Sequence, residues 1–261
     1  MIAAIVALSA MPAIADFRED RGIIAEVDQN PLVRVRGNIE VRTGAGSLTA
    51  AQIDEFAVLA EKGAADIGRF TGVEPPKHIV IYLSPKVGIS HTYTGSSRHE
   101  PRVFIDSDRV LDHTAPYLHE LVHAVVGDGG AMWLEEGFAS WVASSVATKY
   151  GGYYASVLSA GNDRVDEQAR SVVARSAGEA RTWFTEDEPK LSSQRERRAF
   201  YILAHSFTKF LANTLGTTRL VSIHRADDVH ALARFSGVSN AEWERRWMAA
   251  LGEGEKVAAG L

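Results

Sequence analysis

Hydrophobic and polar positions follow a strand-like pattern in the first part of the chain and a helix-like pattern afterwards. Residues 39–43 (IEVRT) alternate as a strand does. The runs 78–83 (HIVIYL) and 101–106 (PRVFID) are short, apolar and typical of buried strands. Residues 91–94 (HTYT) alternate and are bounded by glycines. This last segment is therefore predicted to be a strand at the edge of a sheet.

Helical spacing dominates the rest of the chain. One helix is predicted after 39–43, starting at Ser47 or Thr49 as its cap and ending before Pro75. Further helices are predicted near 114–126, 132–150, 154–175, 194–214, 217–223 and 241–251. Strands followed by helices indicate an α+β architecture. We expect a small mixed sheet lobe at 39–113, a mainly helical lobe at 114–261 and an active site in the cleft between them.

The N-terminal segment has the features of an export signal. Residues 2–15 carry no charge, and Ala13-Ile14-Ala15 has the small-x-small form of a cleavage site. The run is shorter than the roughly 20 residues that span a bilayer. We expect 1–15 to be a signal peptide and 16–38 an N-terminal extension. The mature protein is then periplasmic in a bacterium or secreted, without a membrane span. A buried N-terminal helix is the alternative.

Composition removes several classes of function. Apolar residues make up 46% and charged residues 23% of the chain, as in ordinary globular proteins. The net charge of −5 gives no sign of a nucleic-acid partner. The chain has no cysteine, which excludes disulfides, a thiolate metal site and a cysteine nucleophile. Arg195, Arg197 and Arg198 form the densest basic cluster, which we interpret as the solvated start of a helix, with a phosphate site as the alternative.

The segment His119-Glu120-Leu121-Val122-His123 is an H-E-x-x-H sequence. Residues four apart share one face of a helix, so both imidazoles can reach a single metal ion. Glu120 lies about 100° around the helix from His119, which places its carboxylate beside a metal-bound water. The pattern therefore predicts one zinc ion on His119 and His123, with Glu120 as general base. Two hydrogen-bonded histidines on a half-buried helix are the alternative.

A second segment, Trp133-Leu134-Glu135-Glu136-Gly137-Phe138-Ala139, follows a glycine-rich loop. H-E-x-x-H followed by W-L-x-E-G-x-A resembles the peptidase-MA-like (gluzincin) zinc metallopeptidase domains, which are related to the catalytic core of the large zinc aminopeptidases. The resemblance implies a zincin-like fold and Glu136 as the third zinc ligand. Small residues stacked on the helix near Glu136, Ser140 and Ala143 among them, allow the close helix approach that such a ligand needs.

The same resemblance extends to the segment 201–216, YILAHSFTKFLANTLG. It implies that Tyr201 stabilises the oxyanion of the reaction, with His205, one turn later on the same face, as the alternative donor. A core tyrosine whose hydroxyl has a hydrogen-bond partner is the structural alternative. The remaining histidines have no comparable spacing and are interpreted as surface or core residues; they are His78, His91, His99, His113, His224 and His230.

The predicted function is hydrolysis of peptide bonds in a peptide or protein substrate. The G-x-M-E-N strand with which the large aminopeptidases grip a free amine has no counterpart here, where residues 91–95 read HTYTG. Cleavage from the chain end or within the chain both stay open. An edge strand near 91–95 can bind an extended peptide. Two alternatives remain: a zincin-fold binding or assembly module with weak turnover, and a zinc hydrolase of a non-peptide amide, such as a cell-wall bond.

Overall fold

The first half of the chain forms a five-stranded sheet with helices packed on both of its faces. The computed structural model describes residues 17–94, 100–147, 161–175, 184 and 191–258. The elements of this half are α1 (Phe17–Gln29), β1 (Pro31–Arg36), β2 (Ile39–Gly44), α2 (Ala50–Thr71), β3 (Ile79–Leu83), β4 (His91–Tyr93), β5 (Arg102–Ile105) and α3 (Ser107–Leu111). The signal peptide predicted at 1–15 lies outside the described residues.

The sheet has the strand order β1-β2-β3-β5-β4. The three inner strands β2, β3 and β5 are parallel, and the edge strands β1 and β4 pair antiparallel to their neighbours. One face carries Ile39, Ile81 and Val103, which pack against α2 in the main core. The other face carries Tyr82 and Phe104, which pack against α1. The inner strands are apolar on both faces because helices cover both.

The predicted strands are all present, and β4 is an edge strand as expected. The structure adds two elements in 16–38 that the hydrophobic pattern did not predict. Strand β1 pairs with β2 along its whole length, and helix α1 packs on the sheet. In β1 the arginines interrupt the apolar pattern, and Arg36 pairs with Asp54 of α2 at 2.9 Å. Pairing with a neighbouring strand and helix, rather than local pattern, selects this strand.

The second half of the chain is helical in the described residues. Its elements are α4 (Tyr117–Val126), α5 (Met132–Ala147), α6 (Val165–Arg175), α7 (Gln194–Leu215), α8 (Thr217–His224), α9 (Ala231–Ser236) and α10 (Asn240–Ala258). The fold is thus α+β, with a small mixed sheet and mostly helices, as predicted. Among the described helices, none has the length and apolar character needed to cross a bilayer.

Two helices begin later than predicted, and two short helices were not predicted. The helix expected from 114 begins at Tyr117, because Pro116 takes the N-cap position and Thr114 does not cap it. The helix expected over 154–175 begins at Val165, and 161–164 form turns where Asn162 bonds to Trp141 and His205 instead. Residues 148–150 and 154–160 lie outside the described part. Helices α3 and α9 were not predicted.

A continuous hydrophobic core joins the sheet to the helices. Buried residues of β2, β3 and β5 belong to the same cluster as buried residues of α2, α4, α5, α7 and α10. Trp243 and Trp247 of α10 are core residues, as expected from their helical spacing. Thr49 caps α2, and Gln52 returns the bond to the cap backbone, which completes a capping box. The core fixes α4 and α5, which carry the candidate site.

Candidate metal centre

Helix α4 presents His119 and His123 on one face, as the four-residue spacing predicts. Both side chains are buried, with 7% of each residue exposed. Their Nε2 atoms lie 3.3 Å apart. The helix itself is buried along its whole length, so the two imidazoles point from a rigid, packed element.

Helix α5 brings Glu136 to the same point. Its Oε2 lies 3.1 Å from His119 Nε2 and 4.0 Å from His123 Nε2. The three atoms are therefore mutual neighbours, although 12 residues, including a glycine-rich loop, lie between His123 and Glu136. The structure brings together all three residues that the sequence analysis expected as ligands.

The spacing of these three atoms suits a small metal ion. Ligand atoms bound tetrahedrally to zinc at about 2.0–2.1 Å lie roughly 3.3 Å from one another. The observed separations of 3.1, 3.3 and 4.0 Å bracket that value. Two imidazoles and a carboxylate are also a ligand set that zinc prefers. The buried cluster can hold a metal ion.

The charges in the cluster are strongly coupled. Burial by itself raises the pKa of Glu136, but its bond to His119 and the two imidazoles outweigh burial and lower that pKa. Burial lowers the pKa of His123 and keeps its imidazole neutral. For His119 the bond and charge of Glu136 outweigh burial and raise the pKa. An ionised carboxylate therefore faces the imidazole pair.

Close packing of α5 on α7 positions Glu136. A Cβ on Gly137 would lie 2.4 Å from the carbonyl oxygen of Ala204 and 2.4 Å from Thr208 Oγ1. Only glycine permits that distance between the helices. The small residue Ser140, one turn after Glu136, reaches the other side of the site, where its Oγ lies 3.4 Å from His119 Nδ1. The predicted small-residue face is thus directed at the cluster.

A second carboxylate group lies behind His123, and the sequence analysis missed it. Glu135 Oε1 is 3.8 Å from His123 Nδ1, and Asp128 completes a cluster of potential ligand atoms with these two residues. Thr94 donates a hydrogen bond of 2.6 Å to Asp128. Burial, then the charges of Glu136 and Asp128, raise the pKa of Glu135 to about 8. Carboxylates at the outer nitrogen of a metal-binding imidazole fix its orientation.

Glu120 of α4 is buried, and it contacts a residue of the edge strand β4. The hydroxyl of Thr92 lies 3.0 Å from Glu120 Oε2 and 2.9 Å from the Glu120 carbonyl oxygen. The negative charge of Glu120 acts on His119, on His123 and on Tyr201. Its carboxylate is therefore beside the cluster but is not one of the three converging ligand atoms.

Tyr201 and His205, the two candidates for oxyanion donor, occupy different environments. Tyr201 is partly exposed and hydrogen-bonds to Glu136, and its ring centre is 6.4 Å from that of His119. Burial and the charge of Glu136 raise the pKa of Tyr201, which keeps its hydroxyl protonated. His205 is fully buried, and its Nε2 lies 2.7 Å from Asn162 Oδ1. Of the two, Tyr201 is the one that contacts the cluster.

Three of the other described histidines make contacts outside the cluster. His91 lies 2.8 Å from Asp20 of α1, His78 lies 2.9 Å from Glu40, and His224 packs on Phe138. His99 lies outside the described residues.

Within the described part of the chain, the only groups of three potential ligands are the two that share His123. Comparisons of the chain with protein-family models, with curated proteins and with solved structures give no match.

Proposed function

We propose that this protein is a zinc-dependent peptidase with a gluzincin-type catalytic domain. The observation that carries the proposal is the buried convergence of His119, His123 and Glu136, beside the oriented carboxylate of Glu120. The ligand geometry, the order of the motifs and the position of Tyr201 all support it. The metal is proposed to be zinc because two imidazoles and one carboxylate leave a fourth tetrahedral position open, as catalytic zinc sites do.

The chain's own residues divide the catalytic work. A zinc ion bound to the three ligands would polarise the peptide carbonyl and acidify the attacking water. Glu120 accepts the proton of that water and returns it to the leaving amine nitrogen. Tyr201 donates a hydrogen bond to the oxygen that gains negative charge during attack. Thr92 keeps the carboxylate of Glu120 directed at the water.

Strand β4 is the proposed binding site of the peptide substrate. It pairs with β5 on one side and ends the sheet on the other. An extended peptide can pair with such a strand through backbone hydrogen bonds. Thr92 contacts Glu120, and Thr94 contacts Asp128. These two contacts join β4 to α4 and to the loop that follows α4. We propose that a peptide on β4 lies beside the helix that carries Glu120 and the two histidines. We also propose that the protein acts after export, in the periplasm or outside the cell.

The proposal is tested by digestion of a mixed peptide library with zinc-loaded protein lacking residues 1–15. We expect cleavage that is abolished by Glu120→Gln, while zinc binding, measured by elemental analysis, stays stoichiometric. The new termini identify cleavage from chain ends or within chains. Full zinc occupancy without any cleavage would contradict the peptidase and favour a binding module or a non-peptide amide substrate.

A further inference from the structure

A basic groove of about 440 Å³ lies between α6 and α7. Arg175 at the end of α6 and Arg195 and Arg198 in the first turns of α7 line it, and its apolar surface comes from Val172 and Ile202. We call these three side chains the groove arginines. Its volume is within the range of small-molecule and peptide side-chain pockets. Two arginines of the basic cluster that the sequence indicated as a solvated helix start, Arg195 and Arg198, therefore line a groove together with Arg175 of a second helix.

The two helices are antiparallel, which brings these charges together. Asp166 near the start of α6 contacts Ser206 and Lys209 in the second half of α7. The end of α6 consequently meets the start of α7. Arg175 is held in place because its Nε donates a hydrogen bond of 2.9 Å to the Ser171 carbonyl.

Among the described residues, the carboxylates near the groove have other partners. Asp166 accepts from Lys209, Glu167 pairs with Arg164 at 3.6 Å, and Glu196 accepts from backbone amides at the start of α7. Within the described part of the chain, no carboxylate forms an ion pair with a groove arginine. Three positive charges thus face one groove in a protein whose net charge is −5. An anion in the groove would relieve their mutual repulsion.

The chemistry and position of the groove indicate what kind of anion it takes. Guanidinium groups bind carboxylates through paired, planar hydrogen bonds. The groove lies on the helix that carries Tyr201, which follows Arg198 by one turn and directly precedes Ile202. We propose that the groove binds acidic side chains of the polypeptide substrate, away from the scissile bond. The identity of the ligand as a substrate rests on the proposed peptidase function.

Binding is tested without cleavage, in the full chain carrying Glu120→Gln. The probes are two fluorescein-labelled peptides that differ only in three consecutive Glu or three consecutive Gln residues. We expect the Glu peptide to bind at least tenfold more tightly by fluorescence anisotropy, with the difference shrinking as salt rises. Arg195→Ala together with Arg198→Ala should remove the difference. Arg197→Ala, which removes a charge from the same turn but not from the groove, should change it less than twofold.

Equal affinity for the two peptides, or an equal loss in Arg197→Ala, would overturn the assignment. Inorganic phosphate, titrated alone, is the second arm: phosphate binding that the double variant loses, without preference for the Glu peptide, would replace the peptide by a phosphate ligand. Thermal melts establish that the variants fold. Because binding is measured without turnover, an inactive wild-type enzyme that still prefers the Glu peptide would contradict the peptidase and leave the groove as an acidic-peptide site.

Discussion

At the scale of single residues, the ligands were readable from the sequence and the residues that orient them were not. His119 and His123 are four apart on one helix, so their spacing alone places them together. Thr92 is 28 residues from Glu120 and contacts it only because β4 ends the sheet beside α4. The alternating pattern of residues 91–94 predicted that Thr92 and Thr94 point to the same side of a strand. It did not predict which element their hydroxyl groups contact.

The contact between Thr92 and Glu120 predicts a catalytic defect. The Thr92 hydroxyl has one proton, shared between the Glu120 carbonyl oxygen at 2.9 Å and the Glu120 carboxylate at 3.0 Å. Removing it in Thr92→Val takes that donor from both acceptors, and hydrogen bonds to charged groups contribute about 1.5–3 kcal/mol. We expect kcat to fall at least about tenfold, with KM and zinc affinity little changed. Steady-state kinetics on a peptide found in the library digestion measure this effect.

Thr92→Ser is the matched control, since it retains the hydroxyl and loses only a methyl group. It should keep most of the activity. If Thr92→Ser loses as much activity as Thr92→Val, packing of the methyl group rather than the hydrogen bond is the cause.

At the scale of elements, the approach of α5 to α7 decides where Glu136 lies. The two helices touch at Gly137, where the space for a side chain is filled by the backbone of Ala204. Glu136 directly precedes Gly137, and Ser140 follows it by about one turn. The positions of both residues therefore depend on this contact. A glycine within a helix costs about 0.5–1 kcal/mol relative to alanine. The close approach it permits outweighs that cost.

Gly137→Ala is therefore expected to destabilise the fold, although alanine is the better helix former. Overpacking of this kind typically costs about 1–3 kcal/mol. The free energy of unfolding in urea should fall by about that amount, and zinc affinity should fall with it because Glu136 moves.

Gly22→Ala is the control for helix propensity. Gly22 lies within α1, and no atom lies within 4 Å of the position its Cβ would take. That change should be neutral or stabilise by up to about 1 kcal/mol. A Gly137→Ala variant as stable as the wild type would mean that α5 and α7 are free to separate.

At the scale of the whole molecule, the metal cluster lies within the continuous core rather than on a surface loop. Its ligands come from α4 and α5, both of which pack in that core together with α2. A metal that binds only the folded chain stabilises it by mass action, by about 2.7 kcal/mol when free metal is a hundredfold above its Kd. Metal binding and global stability are therefore linked.

Metal removal should accordingly lower the melting temperature. For a chain of this size we expect a fall of roughly 5–10 °C on chelation of the zinc-loaded protein, reversed by added zinc. Differential scanning calorimetry with and without chelator measures it. His123→Ala, which lacks one ligand, should melt at the same temperature in both conditions. If the chelator leaves the melting temperature of the wild type unchanged, the prediction that a metal bound to this cluster stabilises the fold is wrong.

The sequence by itself determined what depends on local spacing. It predicted the α+β class, four of the five strands, most of the helices and the three residues that converge as potential ligands. The class, the strands, the helices and the pairing of His119 with His123 are readable because alternation, helical periodicity and four-residue spacing act over short distances along the chain. Glu136 was expected from the resemblance of its segment to a known family.

Only the tertiary structure decided the features that depend on long-range packing. Strand β1 is selected by pairing with β2, and helix α6 begins late because Asn162 bonds to neighbouring helices. The carboxylates behind His123 and the donor to Glu120 come from a loop, from α5 and from the sheet edge. Their roles follow from which elements the core presses together, and no local pattern carries that information because burial and distance are properties of the folded chain.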